Sequence, residues 1–130
     1  MLKQKEKAIA FLRLHHKKSG ILILPNAWDV ATARIFEKAG FSAIGTTSAG
    51  IAASLGYPDG EKASKDEMIE AIARISRGVT IPVTADIENG FSTTPKGVYE
   101  TVRAVIKTGA VGINLEDGAL VFKLRPLIRA

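Results

Sequence analysis

Residues 79–91 read VTIPVTADIENGF: an apolar run from Ile81 to Ala85 passes directly into Asp86 and Glu88, then breaks at Asn89-Gly90. The run predicts a strand. Alternate side chains of a strand share a face, so positions i and i+2 point the same way. Both acids would then leave its carboxyl end side by side. Two carboxylates a few ångström apart repel, and one must hold a proton unless a cation lies between them. A hard divalent ion with oxygen ligands satisfies such a pair. A solvated turn, in which Asp and Asn-Gly are ordinary residues, accounts for the same letters.

The segments on either side repeat one pattern. Residues 3–18 predict a first helix, with Ile9 and Leu12 at helical spacing, ended by Ser19-Gly20. Its adjacent His15 and His16 point about 100° apart around the axis, cannot grip one metal together, and are surface residues. Ile21 to Leu24 predicts a strand closed by Pro25-Asn26. Asp29 or Asn26 can cap the next helix, which runs to Lys38 and draws an inward stripe from Val30, Ala33, Ile35 and Phe36. Gly40 stops it, and a second strand spans Ala43 to Thr47. Residues 48–61, SAGIAASLGYPDGE, predict a long loop of the kind that is functional or merely a flexible connector. Its Ser-Ala-Gly start offers backbone N–H groups to an anion. Asp59, in Tyr57-Pro58-Asp59-Gly60, is most simply a turn residue.

Ser64 and Glu67 form a capping box for a helix reaching the vicinity of Ser76, with Met68, Ile69, Ile72 and Ile75 inward. Beyond the opening stretch, Thr94-Pro95 starts another helix with Thr at the cap and Pro at the first helical position. Val98, Val102, Val105 and Ile106 face inward, and Thr108-Gly109 ends it. A fourth strand, Val111 to Leu115, delivers Glu116 and Asp117.

Strands alternating with helices mean parallel pairing with right-handed crossovers. Polar and acidic residues follow every strand: Asn26 and Asp29, Thr46 to Ser48, Asp86 and Glu88, Glu116 and Asp117. An α/β barrel collects its catalytic groups at these ends, and an open doubly wound sheet places ligands there too. No GxGxxG follows the first strand, so a dinucleotide site has no support. At 130 residues, 46% hydrophobic and 24% charged, the composition is that of one globular unit with a real core. No apolar run is long enough to span a membrane, and the N-terminus lacks the sustained apolar stretch of a secretory signal. The absence of Cys excludes disulfides, thiolate metal sites and cysteine nucleophiles, and fits a cytoplasmic protein. The net charge of +5 is scattered over helical segments with little aromatic interleaving, so neither nucleic acid nor membrane is an expected partner.

Taken together, NAWDVATARIFEKAGFSAIGTTSAG (26–50), IAASLGYPDGE (51–61), IPVTADIENGF (81–91) and GINLEDG (112–118) resemble the isocitrate lyase / phosphoenolpyruvate mutase family. The likeness covers residues 20 to 118 and lies in the order and spacing of the four segments. It implies an α/β fold, a partial (β/α)8 TIM barrel holding about strands 1–4 with an N-terminal helix. It also implies Mg²⁺, a small 2-oxo acid or phosphonate substrate at the barrel top, and a C–C or P–C bond made or broken beside an enolate. By this resemblance Asp86 falls on the principal metal-binding Asp, which also meets substrate, and Glu88 and Glu116 fall on further acids of the metal shell. Thr47, Ser48 and Ala49 match the segment that holds the substrate's carboxylate or phosphonyl group. Asp59 matches an Asp of the following loop and is the catalytic candidate.

Two departures follow. After Glu116 the sequence reads EDGALVFKLRPLIRA, without the lyases' Lys-Arg-Cys-Gly-His run and with Lys123 outside any matching context. It thereby resembles the carboxyvinyl-carboxyphosphonate phosphorylmutase-like members more than the isocitrate and methylisocitrate lyases. A complete barrel takes about 250 residues, so groups from strands five to eight, a substrate-binding Arg among them, are not in this sequence. The expectation is a single truncated half barrel over 1–130, with a divergent tail from 119 to 130. Its open edges would favour a homo-oligomer. The competing expectation is an inactive remnant whose only activity is self-association.

Overall fold

The computed structural model describes residues 3–18 and 20–117. Four short strands, β1 (Asn26–Ala27), β2 (Ile44–Thr46), β3 (Val83–Asp86) and β4 (Gly112–Asn114), form one sheet in the order β1-β2-β3-β4. Every neighbouring pair is parallel, with registers Asn26↔Gly45, Ile44↔Val83 and Thr84↔Gly112. A doubly wound sheet reverses direction at a switch point; this one advances strand by strand, as a (β/α)8 barrel does. The fold is therefore α/β, a partial barrel made of its first four strands. Helix α1 (Gln4–His15) precedes β1, and α2 (Val30–Lys38), α3 (Ser48–Ser54), α4 (Lys65–Gly78) and α5 (Pro95–Lys107) occupy the connections.

Local chemistry starts each helix where the sequence indicates. Asp29, not Asn26, caps α2, its Oδ1 accepting from Thr32 N at 2.7 Å. The Ser64–Glu67 box caps α4, and Thr94 caps α5 with Pro95 in the first turn. Met68, Ile72 and Ile75 of α4 and Val105 of α5 pack with Ile44, Ile51, Val83 and Ile87 in the core. Burying side chains of this size contributes about 1.5–3 kcal/mol each.

Several expectations are corrected. The stretch Ile21–Leu24 is not the first strand: Ile21 is 91% exposed and Ile23 64%, and pairing begins only where Gly45 N donates to Pro25 O at 3.0 Å. Apolarity marks a tendency toward burial, whereas a parallel strand also needs a partner in register, and β2 meets the chain at Asn26–Ala27. Residues 48–61 are not all loop. Ser48–Ser54 is helical, with Thr47 as its cap and Ile51 and Ala52 buried. Its glycine admits close packing, since a Cβ on Gly50 would lie 3.0 Å from the Trp28 Cβ. The inward stripes are narrower than predicted, with Ile35 62% and Ile106 53% exposed. In α1 Ile9 and Leu12 are exposed and Lys7 is the buried residue, donating to Val79 O at 3.0 Å. Both histidines are exposed, as expected. Lys123 and the divergent tail lie outside the described residues. Among those described, no helix is long and apolar enough to cross a membrane.

Candidate active site at the strand ends

Asp86 is the last residue of β3, and β2 holds it in place. Its N–H donates to Thr46 Oγ1 at 2.9 Å. Its Oδ2 accepts from Ser48 N at 2.9 Å and from Ser48 Oγ at 2.8 Å, while Oδ1 accepts from Glu88 N at 3.3 Å. Thr46 and Ser48 are buried and Asp86 is half-buried, so the hydrogen bonds that hold Asp86 are partly withdrawn from water. Ser48, expected beside an anionic substrate group, here supports Asp86. Thr47 is half-buried at the cap of α3, where its Oγ1 accepts from Gly50 N, and Ala49 is exposed in the first turn.

Asp86 and Glu88 are close, though not through strand alternation. The strand stops at Asp86, and Glu88 adopts a left-handed φ of 50° as the chain turns, with Gly90 N donating to Ile87 O at 2.8 Å. Glu88 is buried, and its Oε2 accepts from Glu61 N at 2.8 Å. Glu61 in turn accepts from Phe91 N at 2.8 Å through Oε1. The Asn89 amide, oriented with its nitrogen toward Glu61, donates to Oε2 at 3.1 Å. Glu61, Glu88 and Phe91 are the non-glycine residues with positive φ among those described. Such conformations cost about 1–3 kcal/mol each and persist where the surroundings over-determine them.

Electrostatics set the chemistry. Burial pushes Glu88 up to about 7; the Glu61 N–H opposes that rise, and the charges of Asp59, Glu61 and Asp86 add to it. Asp59 therefore lies near enough to be felt, although its own carboxylate serves a turn, accepting from Gly60 N at 2.9 Å. Glu116 is exposed and joins by its backbone, its N–H donating to Glu88 O at 2.7 Å. The structure thus brings Ser48, Asp86 and Glu88 into contact, with Glu116 adjoining and Asp59 at the margin.

Among the described residues no three His, Cys, Asp or Glu side chains form a ready-made metal cage. The donors nevertheless suit Mg²⁺, which prefers oxygen, takes one or two carboxylates directly and keeps several waters. Glu61 and Asn89 were not foreseen. The partners of Glu61 lie 27 and 30 residues away, so no local pattern announces it.

The acids following consecutive parallel strands lie at the end of the sheet where barrel enzymes carry their active sites. The sequence profile of the family described as phosphoenolpyruvate phosphomutase matches residues 11–128, and the chain belongs to that family. An uncharacterized protein of Mycobacterium tuberculosis strain H37Rv is 37% identical over 123 residues, which is 94% of this chain and 45% of that protein. A solved protein of Burkholderia cenocepacia J2315, described provisionally as a lyase/mutase, is 46% identical with a TM-score of 0.82, over 88% of this chain and 40% of its own. Oxaloacetate acetylhydrolase, solved with its product oxalate, is 30% identical with a TM-score of 0.80 over 88% and 40%. Further relatives are 2-methylisocitrate lyases and a 2,3-dimethylmalate lyase, enzymes of the same superfamily. The chain spans under half the length of these relatives.

Proposed function

We propose that this unit is the Mg²⁺-holding part of an enzyme that makes or breaks a C–C or P–C bond in a small 2-oxo acid or phosphonate through its enolate. The observation that carries the proposal is the Asp86–Glu88 pair, in which Thr46 and Ser48 clamp Asp86 and the charged groups acting on buried Glu88 among the described residues are acids. Such a pair calls for a proton or a cation. Asp86 and Glu88 would hold the ion, with Glu116 adding a third carboxylate directly or through water. Bound there, the ion supplies Lewis-acid stabilisation of negative charge developing on an enolate oxygen.

The remaining roles fall to neighbouring residues. Ser48 orients Asp86, which meets both ion and substrate. Thr47 and Ala49, at the first turn of α3, are the candidates for meeting a carboxylate or phosphonyl oxygen, since the Ser48 and Gly50 N–H groups are already given to Asp86 Oδ2 and Thr47 Oγ1. Asp59 is the candidate for proton exchange with substrate. Calorimetric titration with Mg²⁺ and oxalate, an enolpyruvate mimic, tests the proposal. Coupled binding of the two, lost in Asp86→Ala, is the expected result. No coupling in the wild-type chain, or coupling that survives the substitution, overturns it.

A further inference from the structure

Glu61 lies between α3 and α4, is assigned above neither to the ion nor to substrate, and is tied to the β3 loop in both directions. Its N–H donates to Glu88 Oε2 at 2.8 Å, and its Oε1 accepts from Phe91 N at 2.8 Å. With its nitrogen turned toward Glu61, the Asn89 amide donates to both oxygens of the same carboxyl group. All three left-handed side-chain-bearing residues among those described, Glu61, Glu88 and Phe91, take part in this one exchange. Strained backbone is retained where surrounding contacts enforce it, and here the enforcing contacts are the strained residues' own hydrogen bonds. The chemical choice is also informative. A glutamine could accept the Phe91 N–H equally well, yet the position holds a second acidic side chain beside buried Glu88.

We propose that Glu61 is a positioning residue for the cation site. It fixes the Glu88 carboxylate through its N–H, clamps the segment 55–63 onto the turn 88–91, and adds negative potential where a divalent ion would sit. Glu61 does not touch substrate. The inference rests on the reading that Asp86 and Glu88 hold the ion. Outer partners of metal ligands act in this way, and their loss typically weakens metal affinity about 10–100-fold.

Two measurements on the same variants separate the inference from the reading beneath it. Amide hydrogen exchange of the metal-free protein reports the clamp. Glu61→Ala should raise exchange at Phe91 and across 55–63 and 88–91, Glu61→Gln should leave it near wild type, and the amides of α4 should be unchanged in both. Calorimetry with Mg²⁺ alone reports the site, with an expected loss of about tenfold or more for Glu61→Ala and a smaller loss for Glu61→Gln. Unchanged exchange, or unchanged Mg²⁺ affinity, in Glu61→Ala overturns the inference. Wild-type protein that takes up no Mg²⁺ overturns the functional reading itself, whatever the exchange shows. If Glu61→Ala does not fold, Asn89→Ala removes one of the donors to Glu61. Faster exchange at 88–91 then supports the clamp, and unaltered exchange overturns it.

Discussion

Asp86 shows how one carboxylate can be oriented by hydrogen bonds from neutral groups. Backbone and hydroxyl donors of Ser48, the first residue of α3, occupy one of its oxygens, and Thr46 at the end of β2 fixes the Asp86 backbone. Hydrogen bonds to a charged acceptor are worth about 1.5–3 kcal/mol. Because the Ser48 N–H remains, Ser48→Ala should destabilise the chain by only about 1–2 kcal/mol. The same change should loosen the Asp86 carboxylate and lower Mg²⁺ affinity measured by calorimetry. Unchanged affinity would show that the Ser48 hydroxyl is not what orients Asp86. Glu37 offers a comparison away from the site. Its Oε1 accepts from Thr80 Oγ1 at 2.6 Å and Thr80 N at 2.7 Å, and these bonds hold its carboxyl below the usual range. Its stabilising contribution is therefore complete above the ordinary carboxylate pKa and is lost as pH falls through the lower, folded value. Urea melts across the acid range should show Glu37→Gln losing stability at neutral pH and a shallower acid decline than wild type.

Between elements, contacts are close enough for single atoms to matter. Gly112 opens β4 beside β3 and α1, and a Cβ there would lie 2.8 Å from Thr84 Oγ1 and 2.9 Å from the Phe11 ring. Overpacking of this kind costs about 1–3 kcal/mol. Gly112→Ala should lower the urea midpoint accordingly; an unchanged midpoint would mean that α1 yields without cost. The inner face of α1 is marked by Lys7 rather than by the helically spaced Ile9 and Leu12, which are exposed. A lysine can bury its stem while its ammonium reaches a polar partner, and the Val79 carbonyl supplies that partner. In α3, a run of small residues resembling a connector folds as a helix because Ile51 and Ala52 find buried places.

The sheet presents β1 and β4 as its outer strands among the described residues, and apolar surface lies along both margins. A groove of about 470 Å³ between α1 and α5 beside β4 is lined by Ala8, Val102, Val105, Ile106 and Ile113. Ile113 and Leu115 are exposed on the same margin, and Ile21 and Ile23 on the other. Unpaired edges with apolar flanks favour association. Light scattering should find dimers or larger species that grow with concentration, and Ile106→Lys should shift them toward monomer. A monomer at every concentration would contradict this.

What could be read from the letters is whatever depends on near neighbours in the chain. Apolar period and capping chemistry located α4 and α5 and the strand leading into Asp86, and acids directly after strands could be seen as a set. Folding in three dimensions decided the rest. Residue pattern by itself left barrel and doubly wound sheet open; the family resemblance implied the partial barrel, and the strand order β1-β2-β3-β4 bears it out. Ile21–Leu24 lost its place as β1 to Asn26–Ala27 because β2 meets the chain there. Asp86 found Ser48 across 38 residues, and Glu61 found Glu88 and Phe91 across 27 and 30. Propensity and amphipathic period are local energies, whereas strand register, hydrogen-bond partners and the tolerance of a left-handed glutamate are settled only when distant segments compete for the same space.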